Sequence, residues 1–395
     1  MGHAGSNRPV PDRIDREVEH PLPPVCGCGG GVDATGETQS TIVQDLPKIE
    51  VENVRHVAPI GKCRTCGARV TAKLPGASGL GDAATQVQVG PGVVALGLSL
   101  RFEHHVPLRG ISAVLSTWFG VSISPGGLSH LFARQAERTA PAYAAIEESV
   151  RTLGVVGADE TGLRENGVSG YTWILRTETA SLFRVERSRG AWVIDDMLGA
   201  GFKGVVCSDF YGAYTRRGDL PHGYCGAHMI REAKKIAELS PSTLTARFSK
   251  RLRALYRDGV VAQQSGERLA RDEIRYGFTK LANNASFAEH SDLARLQTRM
   301  RDHHEGIVLF LDRPDVPFTN NGSERDIRPI AVHRKITGGT RSPRGSDTLE
   351  HWMSVTQTLR KNDMALRNWV FAATAARAAG LPIPPPLRAR AHAPN

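Results

Sequence analysis

The sequence predicts a mixed α/β fold in which a strand-rich core is interrupted by a long helical insertion. Three observations lead there. Between residues 152 and 209, the β-rich runs TLGVVGAD, YTWILRT, SLFRVER and FKGVVCSD are broken by one helical stretch, GAWVIDDML. Residues 226–305 then read as helical almost throughout, and residues 91–150 read as helical ahead of the strands. Strands followed by a block of helices suggest one sheet with an inserted helical subdomain.

A chain of 395 residues, 40% of them apolar, can bury a sizeable core and is long for one domain, so two or three folding units are expected. Its 50 Lys and Arg outnumber 40 Asp and Glu, which favours an anionic partner, nucleic acid ahead of a membrane surface. No run of about 18 apolar residues is present to span a bilayer. The first twenty residues, MGHAGSNRPVPDRIDREVEH, contain no apolar signal core, and a cytoplasmic location is expected. Of six cysteines, four fall in two close pairs, which suits metal ligands better than a disulfide framework.

Taken in order, residues 1–25 are polar and proline-rich and are expected to be disordered. Residues 26–75 form a candidate zinc module. Cys26-x-Cys28 and Cys63-x-x-Cys66 would supply four thiolates to one structural Zn²⁺, with His20 or His56 as substitutes; four reduced, unligated thiols are the alternative. Between the pairs, TIVQDL and IEVENVRHVA alternate apolar and polar residues and predict short strands. PGASGLGDA, at 75–83, reads as a linker. In the helical region 76–150, Ile111, Val114, Leu115 and Trp118 share one helical face. Gly120 ends that helix, and Ser124-Pro125 starts the next with a cap and an N1 proline. The pair could be a helix-turn-helix or an ordinary packed pair. The tail from 376, ending LPIPPPLRARAHAPN, is expected to be extended and mobile.

Three acids stand where chemistry could occur. Asp159 closes the apolar run GVVGA, and Asp209 closes KGVVCS, so both are expected at the ends of buried strands, where α/β sites collect. Two such carboxylates repel unless a cation neutralises them, and oxygen donors suit two Mg²⁺ (or Mn²⁺) ions; plain turn residues are the alternative. In TNNGSERDIRP, Asn321 is expected to cap a helix with Glu324 at N3, where the dipole favours its charge. Arg328 would orient it, and Pro329 should kink or end the helix. Residues 325–345 carry six Lys or Arg and one Asp, among them Arg325, Arg328, Arg334, Lys335, Arg341 and Arg344. Glycines 338, 339 and 345 would let the backbone approach phosphate closely while Arg341 and Arg344 bind it, these basic residues contacting DNA; a solvated basic loop is the alternative. Arg231, Lys234 and Lys235 could form a basic stripe, and Cys225 and His228 in YCGAHMIREAKK are candidate accessory groups; a solvated face and a structural histidine are the alternatives. Cys207 is expected in the core.

GADETGLRENGVSGYTWILRT, CSDFYGAYTRRGDLPHGYCGAHMIREAKK and DRPDVPFTNNGSERDIRPIAVHRKITGGTRSPRGSDTLEHWMSVTQTLRKN, in this order, resemble the three acid-bearing blocks of the insertion-sequence 66 family of bacterial transposases. The likeness runs from about residue 26 to 375. It implies an RNase H-like catalytic core over 151–375, with Asp159, Asp209 and Glu324 as a DDE triad spaced by 50 and 115 residues. The long second gap agrees with a helical insertion at about 226–305. The activity implied is metal-dependent DNA cleavage at element ends and strand transfer. The implied partners are double-stranded DNA, further copies of the chain on DNA, and accessory proteins of the same element. Two features depart from the family: only 25 residues precede Cys26, and the first pair is C-x-C rather than C-x-x-C. A non-catalytic zinc-containing DNA-binding protein, or a nuclease of the same fold that never joins strands, is the rival reading.

Overall fold

The apolar runs pair into one five-stranded mixed sheet, and helices supply most of the remaining residues of 87–388 that the structure describes. The computed structural model describes residues 9–46, 49–71, 87–216 and 220–388. The expected linker, the first eight residues and the last seven lie outside them. Two compact units are present, Met1–Glu52 and Asn53–Asn395.

In the first unit, the described residues hold a bridge between Val25 and Gly31 and no regular helix or strand. The bridge closes a tight turn in which the Cys26 amide donates to the Gly30 carbonyl at 2.8 Å. The strands expected in TIVQDL and IEVENVRHVA do not form. Val43, Leu46, Val54 and Val57 are all more than half exposed, so the alternation has no core face to bury. The second unit begins instead with a small hairpin, β1 (Ile60–Lys62) and β2 (Arg69–Thr71), around the CRTCG turn.

Next come α1 (Pro91–Leu98), a π-helical turn at Ser99–Glu103, α2 (Leu108–Phe119), α3 (Pro125–Arg138) and α4 (Ala140–Thr152). Gly120 ends α2 in the left-handed conformation (φ 64°), and Ser124 caps α3 by accepting from the Gly127 amide at 3.0 Å. The apolar face of α2 is narrower than its spacing suggests: Ile111 and Leu115 are buried, whereas Trp118 is 59% exposed.

The sheet follows, with β3 (Val155–Glu165), β4 (Val168–Arg176), β5 (Ser181–Glu186), α5 (Trp192–Leu198), β6 (Val205–Ser208), α6 (Gly212–Thr215) and β7 (His222–Tyr224). Strand order is β5-β4-β3-β6-β7; β3, β4 and β5 run antiparallel, and β6 and β7 join in parallel. The helical insertion comprises α7 (Gly226–Leu239), α8 (Thr243–Ser265), α9 (Arg268–Ala282), α10 (Ala285–Ala288), α11 (Ser291–Asp302) and α12 (His304–Val308). It packs its own core, with Phe248, Tyr256 and Phe278, against β6 and β7.

Three helices close the chain: α13 (Asn321–Thr337), α14 (Pro343–Lys361) and α15 (Leu366–Ala378). Helix α14 protects the edge strand β5. Glu350, Ser354 and Thr358, one turn apart, accept from the amides of Val185, Phe183 and Ser181 at 2.9, 2.9 and 3.1 Å. Those amides would otherwise offer a pairing edge. The tail differs from expectation over its described part: Trp369 Nε1 donates to the Pro384 carbonyl at 3.0 Å, and Ile383 and Leu387 pack on the core.

Candidate active site

Asp159 and Asp209 meet through sheet register. β3 and β6 pair in parallel, Val155 with Val205 and Gly157 with Cys207, a constant offset of 50 residues. Asp159 lies two residues beyond Gly157 on β3 and Asp209 two beyond Cys207, just past the end of β6, and the charge of Asp209 acts on the Asp159 carboxyl. Asp209 follows the last residue of β6, as expected. Asp159, expected to end its strand, instead sits inside β3, which continues beside β4 with Asp159 opposite Ile174. What ends near Asp159 is the pairing with β6. The Asp209 carboxylate accepts from the Tyr211 amide at 2.9 Å, and that of Asp159 from the Glu160 amide at 2.9 Å.

Helix α13 delivers Glu324 to the same end of the sheet. Asn320 is the residue that precedes the helix, and its side chain makes no cap bond. It reaches across to β3 and donates to the Ala158 carbonyl at 2.7 Å, while its own amide donates to the Cys225 thiol at 3.0 Å. Ser323 donates to the Asn320 side-chain oxygen at 2.6 Å. The capping box expected from Asn321 is therefore absent, and Glu324 lies one position deeper in the first turn. Gly157 makes this approach possible, because a Cβ there would collide with the Ser323 hydroxyl. Pro329 lies within α13 without ending it; Ile327 and Ile330, buried against the sheet, hold the helix through the missing bond.

Glu324 does not face its fellow acids unpaired. Arg231, from α7, contacts it at 2.7 Å and His228 at 3.6 Å. This ion pair raises the Arg231 pKa. Arg328, expected to orient Glu324, is exposed and makes no such contact. The Asp159 carboxyl is pushed up to about 7, first by burial and further by the charges of Glu160, Asp209 and Glu324. Among the described residues, no group of three or more His, Cys, Asp and Glu side chains is arranged to hold a metal ion. In this conformation the acids repel one another, and Glu324 is satisfied by a side chain instead.

Glu160 is an acid the sequence reading missed. Its carboxylate is bound by Arg189 at 2.6 Å and by the Tyr214 hydroxyl. Burial, then the Glu160 charge, raises the Tyr214 hydroxyl well above its ordinary range. The doublet Asp159-Glu160 was the available signal.

Several basic residues proposed for DNA have internal duties. Arg334 donates to the Thr161 hydroxyl at 3.0 Å and to the Gly162 carbonyl, tying α13 to β3. Arg344 pairs with Glu137 at 2.7 Å, and Lys234 with Glu238 at 3.4 Å. Arg325, Arg328, Lys335 and Arg341 stay exposed, as does Lys235. Cys225 is buried, its thiol raised by burial, and it serves as an acceptor between α7 and the start of α13. Cys207 is buried in β6 as expected.

Residues 86–348 match the transposase IS66 family. The chain belongs to that family. The match includes Asp159, Asp209, Glu324 and the loop up to Arg344, and it begins after both cysteine pairs. Three proteins of Sinorhizobium fredii are similar to the chain, each described as an uncharacterized protein. One is 24% identical over 95% of this chain and 74% of its own length. A second is 30% identical over 57% of this chain and 58% of its own length. A third is 23% identical over 87% and 72%. Among the described residues of this IS66 family member, no helix is long and apolar enough to cross a membrane.

Proposed function

We propose that this IS66 family protein cleaves DNA at the ends of a mobile element and joins the freed 3′ ends to target DNA, using Asp159, Asp209 and Glu324. The observation that supports this reading is that the charges of Asp209, just past the end of β6, and Glu324, in the first turn of α13, both act on the Asp159 carboxyl of β3. The strand order, with β3 central and β6 and β7 parallel to it, fits the RNase H-like core that family resemblance implies.

The donor set fits hard divalent cations. It is all oxygen, and a bound cation would offset both the burial that chiefly lifts Asp159 and the mutual repulsion that adds to it. Mg²⁺ or Mn²⁺, bound by these three carboxylates, would polarise the phosphoryl oxygens and neutralise the charge of an in-line displacement. The remaining work belongs to the chain. Asn320 and Cys225 fix the first turn of α13 against β3, which holds the backbone of Glu324 in place. Arg231 and His228, released from Glu324, become cationic and polar donors for a phosphate of the strand being cut. Glu160 stays occupied by Arg189 and Tyr214 and leaves the reacting acids to act without it. A structural Zn²⁺ on Cys26, Cys28, Cys63 and Cys66 finds no support among the described residues, where no group of three or more His, Cys, Asp and Glu side chains is arranged to hold a metal.

The test is cleavage and joining of labelled element-end DNA in Mg²⁺, comparing wild type with Asp159→Asn, Asp209→Asn and Glu324→Gln. Loss of cleavage in all three supports the reading; wild-type activity in any one removes that residue from the site. Cleavage without a joined product would make the protein a nuclease. DNA binding with no cleavage in any divalent metal would leave a binding protein.

A further inference from the structure

At the opposite end of α13, a cavity of about 210 Å³ opens between the N-terminal helices and the α13–α14 loop. Arg101, His333, Gly339, Arg341, Ser342 and Arg344 contribute to its wall. Its charge balance is unusual. Among the described residues, Arg101, in the π-helical turn, has no carboxylate partner; its guanidinium meets the Val106 carbonyl at 3.3 Å and His333 Nε2 at 3.4 Å. Burial alone lowers its pKa to about 10, with no acid acting in the other direction. His333 is 1% exposed, and its Nδ1 has no hydrogen-bond partner. If Nε2 accepts from Arg101, Nδ1 carries the proton, a buried donor without an acceptor.

The remaining wall adds positive potential. Helix α14, 19 residues long, begins here with Ser342 as cap and Pro343 at its first position, so its dipole presents its positive end. Arg341 makes no ion pair or hydrogen bond among the described residues. Glu137 is occupied by Arg344 at the mouth. A buried cation and an unmatched donor are costly unless an anion completes them.

We infer that this cavity is a phosphate site, which receives one backbone phosphate of the DNA strand that reaches the carboxylates. The assignment to DNA rests on the function proposed above. Two rulers set its distance from the chemistry. Glu324 and Thr337 are 13 residues apart on α13, about 20 Å at about 1.5 Å per residue. Asp159 and Glu165 are six residues apart on β3, again about 20 Å, and Glu165 bridges to Thr340 in the loop. The held phosphate therefore lies about 20 Å from the cleaved bond.

The test uses the full chain as wild type, Arg101→Met and Arg341→Ala. Thermal unfolding is followed with and without inorganic phosphate, and duplex binding is measured over a salt series. Phosphate should raise the wild-type Tm and leave that of Arg101→Met unmoved. Arg101→Met, relieved of an unpaired buried charge, should unfold at a higher temperature than wild type without phosphate. Arg341→Ala, exposed and free of folding consequences, should bind duplex about five- to tenfold more weakly, with a log–log salt slope shallower by about one. Wild-type affinity and slope in both variants would overturn the pocket and leave the proposed function standing. A phosphate response in a protein that binds no DNA would overturn the DNA assignment and leave a site for free phosphate.

Discussion

Helix α13 has two ends that carry opposite, unfinished electrostatics. At its start, Glu324 joins Asp159, Asp209 and Glu160 in one acidic neighbourhood, and Asp159 is lifted to about 7 as a result of burial and that crowding. At its finish, Arg101 and Arg341 face a cavity with no carboxylate assigned to them. A protein selected for stability alone would neutralise both ends internally, as it does around Asp326, where Arg176 at 3.1 Å and Lys361 at 2.6 Å close a buried network. The contrast sharpens the two proposals above, cations beside the first turn of α13 and phosphate in the cavity past its last, with Asp326 anchoring the helix between them.

The comparison can be broken most forcefully at the acidic end. Asp209→Asn should lower cleavage by on the order of 10²–10³-fold, while duplex affinity, measured by anisotropy, stays at or above wild type because repulsion of phosphate is reduced. A parallel loss of affinity would show that Asp209 supports the fold. At the other end, Gly339 (φ 104°) lies against the Arg164 backbone, which a Cβ would strike. Gly339→Ala should cost about 2–3 kcal/mol in denaturant unfolding, and a neutral result would mean that the loop relaxes freely.

A third variant tests whether burial rather than ligand charge can lift a carboxyl. Glu350 is pushed up to about 7, chiefly by burial, although it accepts from the Val185 amide. Its folded pKa lies above the unfolded value, so the folded state holds a proton the unfolded chain has released. Its penalty therefore grows as pH rises from about 4.5 to 7 and is complete above that window. Glu350→Gln should flatten the stability–pH profile there and gain about 1–2 kcal/mol at pH 8; an unchanged profile would refute the assignment. The smallest effect belongs to the Arg231–Glu324 pair, which is half exposed on the arginine side. Arg231→Ala should lower the Mg²⁺ needed for half-maximal metal binding by up to about fivefold, read by metal titration. A higher requirement would show that Arg231 helps assemble the site.

Much of this was legible in the residues. Alternating and continuous apolar runs marked β3 to β6, Ser124 and Gly120 punctuated the helices, and the 50-residue spacing of Asp159 and Asp209 proved to be the sheet register itself. What the sequence hid depends on contacts between distant elements. No local pattern says that Asn320 reaches Ala158, that Arg231 rather than Arg328 takes Glu324, or that Arg101 enters a cavity built by residues 339–345. The two short strands expected between the cysteine pairs failed because alternation without a core to bury it carries little weight. Arg334 and Arg344, read as DNA contacts from charge, are internal partners, which shows how little a basic run says about which of its members are free.

The central claim is that three distant carboxylates share bound metal. Replacing Mg²⁺ with Fe²⁺ and generating hydroxyl radicals with ascorbate cuts the backbone beside the bound metal, and mass spectrometry of the fragments reads the positions directly. Cuts clustered near residues 159, 209 and 324, suppressed by excess Mg²⁺ and lost in Asp209→Asn, are the expected result. Cuts that omit any one of the three segments would contradict the account.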